Sequence, residues 1–130
     1  MIKVVLLLLP VIFAITGSGC QEEKMLAEIR LCSDVSVNEP CVGEDSVFLF
    51  GTNVWVQLWM EPGFNDTVVV GNIYKYQNGQ RIFEESITRQ VQEGQMVVME
   101  QLFFNKYGDF EVEFLDSKGN LLDKKEFEIW

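Results

Sequence analysis

Residues 67–91, TVVVGNIYKYQNGQRIFEESITRQV, decide the fold of this chain. Their β-branched and aromatic side chains suit a pleated surface, and they continue on both sides of Asn78-Gly79. Asn-Gly favours a type I′ turn, because that turn needs a positive φ at both central positions. The stretch therefore predicts an antiparallel hairpin with strands over Thr67–Gln77 and Arg81–Val91.

The segments around this hairpin also repeat with a period of two, which is typical of strands. From Val54 to Met60 the even-numbered positions are apolar, and from Phe110 to Phe114 apolar residues alternate with glutamates. Phe127 and Ile129 continue this pattern near the end of the chain. Further strand-like runs are 28–32, 47–50 and 96–104.

About seven short strands at regular turn intervals indicate an all-β fold with antiparallel pairing. An immunoglobulin-like sandwich is the first expectation and a small closed barrel the second. The 130 residues suffice for a single domain, which we place at 28–130.

The first twenty residues, MIKVVLLLLPVIFAITGSGC, have the layout of an export signal. Lys3 precedes an apolar run from Val4 to Ile15, and small residues follow. A bilayer-spanning helix needs about 20 apolar residues, so this run is too short to be a convincing anchor. We therefore predict a signal-peptide helix within residues 1–19.

The small residues before Cys20 resemble a bacterial lipobox, although Gly17 stands where leucine is usual. The resemblance implies cleavage before Cys20 and attachment of acyl chains such as palmitate to it. It also implies a lipidated tether over 20–27 and a place in the cell envelope, facing the periplasm or the cell exterior. Gln21 favours the outer membrane if the envelope is Gram-negative. Ordinary signal cleavage, which would leave Cys20 as a plain thiol, is the alternative.

The two remaining cysteines, Cys32 and Cys41, enclose a short segment that contains Asn38-Glu39-Pro40. An exported chain with two such cysteines is expected to pair them in a disulfide. A redox or metal pair is the alternative, but the spacing fits neither a C-x-x-C motif nor a zinc knuckle.

The segment YGDFEVEF at 107–114, followed by a glycine turn and Phe127-Glu128-Ile129, carries a second resemblance. It is similar to the closing hairpin of bacterial immunoglobulin-like domains. More narrowly, 29–130 is similar to an uncharacterised domain family of exported or membrane-bound bacterial chains. The resemblance implies a sandwich fold and no particular activity.

The composition excludes several classes of function. The net charge is −10, which disfavours nucleic acid as a partner. The chain has no histidine, so Ser-His-Asp and Cys-His catalysis and histidine-ligated metals are excluded. We expect no cofactor, no metal site and no catalytic residue, and hence no enzyme.

The carboxylates offer two candidate sites, and each has a simpler interpretation. Glu111 and Glu113 share one strand face, but their alternation with apolar residues predicts a solvated face rather than a catalytic pair. The segment 116–120, DSKGN, predicts a hairpin turn rather than a calcium loop, because it holds few acidic ligands.

Four aromatic residues form the candidate binding face: Trp55 and Trp59 on one strand, with Tyr74 and Tyr76 expected on the next. Burial of both faces of the tryptophan strand is the competing interpretation. The sequence as a whole predicts a membrane-anchored, non-catalytic binding or interaction module, with an envelope protein or glycan as partner. A carboxylate-based envelope glycan hydrolase or a carbohydrate-binding module is the alternative.

Overall fold

The computed structural model describes residues 25–130, which form eight β-strands and no helix. The all-β prediction is confirmed, while the signal peptide and Cys20 lie outside the described residues. Within 25–130, no helix is long and apolar enough to cross a bilayer. The strands are β1 (Leu26–Cys32), β2 (Val47–Phe48), β3 (Asn53–Glu61), β4 (Val68–Gln77), β5 (Gln80–Gln90), β6 (Val97–Phe103), β7 (Gly108–Leu115) and β8 (Leu121–Ile129).

The hairpin predicted around Asn78-Gly79 is present between β4 and β5. Gln77 pairs with Gln80 across the turn, and both central residues have positive φ, 53° at Asn78 and 77° at Gly79. The register of β4 against β5 shifts after Ile73, where the ladder is irregular. The local turn chemistry therefore fixes the longest strand pair of the domain.

The strands make two sheets, one of three strands in the order β1-β3-β6 and one of five in the order β2-β8-β7-β4-β5. Every pairing is antiparallel except that of β2 with β8. Most strands that follow one another in the chain are not neighbours in a sheet. Among the eight strands of residues 25–130, only β4 and β5, and β7 and β8, are both consecutive and adjacent.

The core lies between the two sheets and consists of the alternating apolar positions. The even-numbered residues from Val54 to Met60 are buried, as their spacing predicts, and so are Phe110, Val112 and Phe114. Phe104, Phe110 and Phe127 form an aromatic cluster with ring centroids 5.2–5.6 Å apart. These contacts pack the inner faces of the two sheets against each other.

Side chains rather than backbone ladders close the two seams between the sheets. At one seam the backbone N–H of Ile29 donates to Asp123 Oδ2 at 2.9 Å, and Lys125 Nζ donates to the Ile29 carbonyl at 3.4 Å. At the other seam Arg89 of β5 pairs with Glu100 of β6. Two separate sheets thus remain, and polar groups at the edge of β1 find partners.

Strand β1 begins at Leu26, two residues before the domain start expected from the sequence. Leu26 and Ala27 pair with Glu61 and Met60 of β3, so the end of the expected tether is part of the sheet. The polar composition just before this point concealed the strand, because an edge strand can carry exposed side chains.

Candidate functional site

The structure does not bring the four aromatic residues of the predicted binding face together. Trp55 and Trp59 lie on the outer face of the three-stranded sheet, whereas Tyr74 and Tyr76 lie on the outer face of the five-stranded sheet. All four are partly buried. The prediction of one continuous aromatic face is therefore wrong, because β3 and β4 are consecutive in the chain but belong to different sheets.

The loop of residues 33–46 lies against the outer face of the three-stranded sheet beside the tryptophans. Cys32 and Cys41 come to disulfide distance at its base, with Cα atoms 5.4 Å apart. Gln57, between the two tryptophans on β3, is fully buried and donates from Nε2 to the Pro40 carbonyl at 2.6 Å. This part of the face is covered by the loop, in line with the alternative that both faces of β3 are buried.

Trp59 is occupied by partners from the chain itself. Its indole N–H donates to Gln57 Oε1 at 2.8 Å, and the guanidinium carbon of Arg30 lies 5.4 Å from its ring centroid. A guanidinium over an indole is a favourable cation–π arrangement. The indole of Trp59 thus already has a cation of the chain against its ring and a partner for its N–H.

Trp55 instead lines an open concavity of about 610 Å³ between β3, β6, the loop 33–46 and the segment 47–52. Asn53 and Gln101 lie on the same sheet face as Trp55, and Asp34 and Asp45 come from the loop. We call this the Trp55 concavity. Its volume falls in the range of small-molecule sites, roughly 300–1,000 Å³.

The outer face of the five-stranded sheet carries a second polar site, centred on Glu111 and Glu113. Arg81 donates from Nε to Glu111 Oε1 at 2.9 Å and from one terminal nitrogen to Glu113 Oε1 at 2.7 Å. The Tyr76 hydroxyl donates to Glu111 Oε2 at 3.2 Å, and the Tyr74 hydroxyl donates to Glu113 Oε2 at 3.0 Å. Every carboxylate oxygen of the pair thus has a donor.

The prediction of a solvated face at Glu111 and Glu113 is wrong. The Glu111 side chain is 3% exposed and that of Glu113 is 13% exposed. The long side chains of Tyr74, Tyr76 and Arg81 lie over the sheet and cover the two carboxylates. Periodicity reports which face points away from the core, but not what neighbouring strands place above it.

The electrostatics of this network hold the Glu113 carboxylate in the charged form. Burial acts to raise the pKa of Glu113, but hydrogen bonds from Asn72, Tyr74 and Arg81 outweigh it and lower the pKa below its usual value. Burial, with the hydrogen bond to Glu113, raises the pKa of Tyr74. A glycosidase general acid must hold a proton, so an ionised Glu113 does not suit that role.

The Asp116–Asn120 segment is the turn that its composition predicts. Asp116 Oδ1 accepts the backbone N–H of Lys118 at 2.9 Å and that of Asn120 at 2.8 Å, and these bonds to Asn120 and Lys118 lower the pKa of Asp116. Among residues 25–130 there is no group of three or more His, Cys, Asp or Glu placed to hold a metal ion.

Sequence reasoning missed Arg81, Asp34 and Asp45. A signal for Arg81 was present, since a two-residue turn at Asn78-Gly79 sets Arg81 opposite Tyr76 in the ladder. No comparable signal exists for the aspartates, because an irregular loop brings them beside Trp55.

The sequence matches no known family profile, and no curated protein matches it. Among solved structures, the fold is similar to a superoxide reductase (neelaredoxin) from Ignicoccus hospitalis. That match has 13% identity and a TM-score of 0.48, and covers 81% of this chain and 80% of that chain. Two single-substitution variants of the same protein, also at 13% identity, give TM-scores of 0.47 and 0.46. The first covers 81% of this chain and 80% of its own, the second 87% and 85%.

The functional prediction made from the sequence, a non-catalytic envelope binding module with a glycan hydrolase or carbohydrate-binding module as alternative, is corrected here. The aromatic face on which the prediction rested is divided between two sheets. The alternative hydrolase also loses its carboxylate pair, whose oxygens are all engaged. At this level of similarity no activity is transferred to the chain.

Proposed function

We propose that this chain is an exported bacterial lipoprotein, whose lipid on Cys20 holds a β-sandwich domain at a membrane surface outside the cytoplasm. The export signal and the lipobox-like residues before Cys20 are the sequence basis for the proposal. The domain is of the immunoglobulin-like sandwich type in this proposal, consistent with its two facing sheets.

The observation that carries the proposal is the approach of Cys32 and Cys41 to disulfide distance. Disulfides persist outside the cytoplasm and are rare in reducing compartments. The pair joins the end of β1 to the loop 33–46, so oxidation would clamp the loop over Gln57. The chain has three cysteines, so pairing Cys32 with Cys41 leaves Cys20 as the cysteine that can carry lipid.

Strand β1 is the first part of the domain after the proposed tether. Leu26, the first residue of β1, is at most about 20 Å of extended chain from Cys20. The strand then runs from Leu26 to Cys32, which is again about 20 Å at 3.3 Å per residue. Since Cys32 pairs with Trp55, the Trp55 concavity lies at the opposite end of β1 from Leu26, where the proposed tether would join the domain.

The test is the intact mass of the full chain expressed with its own N-terminus in a bacterial host and purified from membranes. We expect a mass of residues 20–130 plus acyl chains, which gains two hydrogen atoms on reduction. The Cys20→Ser variant is the matched control and should lose the lipid, whereas Cys41→Ser should keep the lipid and lose the change on reduction. A wild-type protein without lipid would refute the anchor.

A further inference from the structure

Two partly buried aromatic rings on the outer sheet faces are capped by an arginine of the chain itself. Arg30 lies over Trp59, with its guanidinium carbon 5.4 Å from the ring centroid, and Arg81 lies over Tyr74 at 3.6 Å. Within residues 25–130 no such cation lies over Trp55. Trp55 and Trp59 share one strand face, so the same surface holds one occupied indole and one that faces an open concavity.

The charges around Trp55 complement a cation. Asp34 and Asp45 line the Trp55 concavity, and its lining contains neither lysine nor arginine. One oxygen of each aspartate accepts the N–H of the next residue, at 2.8 Å from Val35 and 2.7 Å from Ser46. The second oxygen of each has no hydrogen-bond partner among the described residues, so it is available to a ligand.

The loop that carries the two aspartates is fixed at several points. Asp34 and Val42 exchange backbone hydrogen bonds of 3.1 and 2.9 Å, and the Asp45 N–H donates to the Leu31 carbonyl at 3.2 Å. Together with the Cys32–Cys41 contact, these bonds position both carboxylates relative to β3 before any ligand arrives. In a site that is already ordered, less conformational entropy is lost when the ligand binds, so the binding free energy is more favourable.

We propose that the Trp55 concavity binds an organic cation, a guanidinium or alkylammonium group, with the indole of Trp55 against the cation and the two aspartates near its charge. Guanidinium and ammonium groups combine cation–π attraction with hydrogen bonds to carboxylates, and these are the two features that the concavity offers. The net charge of −10 also attracts cations to the domain. The inference is independent of the lipid anchor.

The test uses the full chain, purified in detergent and labelled with ¹⁵N, and follows the indole N–H resonance of Trp55. The probes are acetyl-arginine amide, its uncharged isostere acetyl-citrulline amide, methylguanidinium and a neutral disaccharide. We expect acetyl-arginine amide to shift the Trp55 resonance saturably, with a Kd in roughly the millimolar range for a single cationic group. The citrulline probe should bind at least about fivefold more weakly, since it lacks the charge.

The two cationic probes distinguish the source of the cation. A fivefold or greater advantage of acetyl-arginine amide over methylguanidinium would assign the site to a side chain of a peptide, and similar affinities would assign it to a free small cation. Equal binding of the arginine and citrulline probes, binding of the disaccharide alone, or no binding would each overturn the proposal.

Substitutions locate the binding and include a matched control. Trp55→Leu, and separately the double variant Asp34→Asn and Asp45→Asn, should each weaken acetyl-arginine amide at least about fivefold. Trp59→Leu lies on the same strand outside the concavity and should leave the affinity unchanged. The aspartates are exposed, so their double variant is expected to fold even if Trp55→Leu does not. Unchanged affinity in the double variant, or an equal loss in Trp59→Leu, would refute the site.

Discussion

Replacing Arg81 by methionine tests whether the Glu111 network stabilises the domain. Arg81 is the only cation within hydrogen-bond distance of Glu111 and Glu113 among the described residues, and it reaches both. Without it, Glu111, whose side chain is 3% exposed in the parent protein, keeps one donor, the Tyr76 hydroxyl. The variant therefore leaves the two carboxylates of Glu111 and Glu113 without a cationic partner.

The magnitude follows from the burial of the two partners. Removal of one member of a buried ion pair costs about 3–5 kcal/mol, because the other charge stays desolvated. The Arg81 side chain is 39% exposed, so in the variant water can enter the space that the guanidinium group vacates and partly hydrate Glu111 and Glu113. We therefore expect Arg81→Met to lower the free energy of unfolding by about 2–3 kcal/mol.

Urea unfolding followed by tryptophan fluorescence measures this loss, with Arg89→Met as the control on the same strand. Arg89 is 49% exposed and pairs with Glu100, so its loss should stay below about 1 kcal/mol. Adding Glu111→Gln to Arg81→Met should restore part of the stability, because it removes the more buried of the two unpaired charges. Equal losses in the two arginine variants would refute the reasoning.

Three further predictions concern the core, the disulfide and acid stability. Phe110→Ala should lower the free energy of unfolding in urea by about 3–5 kcal/mol because it empties a fully packed aromatic site, and a loss under about 1 kcal/mol would contradict this. Cys41→Ser should lower the melting temperature under oxidising conditions, corresponding to roughly 2–3 kcal/mol for closure of so short a loop, and an unchanged melting temperature would exclude the disulfide with Cys32. The pKa of Glu113 lies below its ordinary value of 4.5, so the stability it contributes is present above that value and is lost as the pH falls through the lower, folded-state pKa. The free energy of unfolding should thus fall less steeply on acidification in Glu113→Gln than in the parent. The same pH dependence in both proteins would show that the network does not lower the pKa of Glu113.

The strands and their inner faces could be read from the sequence because both are local properties. The turn at Asn78-Gly79 depends on two residues, and the alternation from Val54 to Met60 follows from the period of an extended chain. In the folded domain the turn and the buried positions are the ones that these local patterns predict. Even the pairing of Arg81 with Tyr76 is implied by the turn length.

The assignment of strands to sheets could not be read in this way. Hydrogen bonds between β3 and β6, or between β4 and β7, join segments far apart in the chain, and period-two patterning is the same for every arrangement of such strands. This is why Trp55 and Tyr74 were expected on one face and lie on two. The two-residue strand β2 lies within the predicted strand-like run 47–50, but its parallel pairing with the end of β8 could not be read from the sequence.

The sequence by itself determined the strands, the central hairpin, the apolar core and the lack of histidine, since each depends on residue type or on neighbours along the chain. Only the tertiary structure decided that Glu111 is buried under Arg81 and Tyr76, and that Asp34 and Asp45 lie beside Trp55. Burial of a polar side chain depends on what distant segments place above it. That information arises only when the two sheets and the loop 33–46 come together.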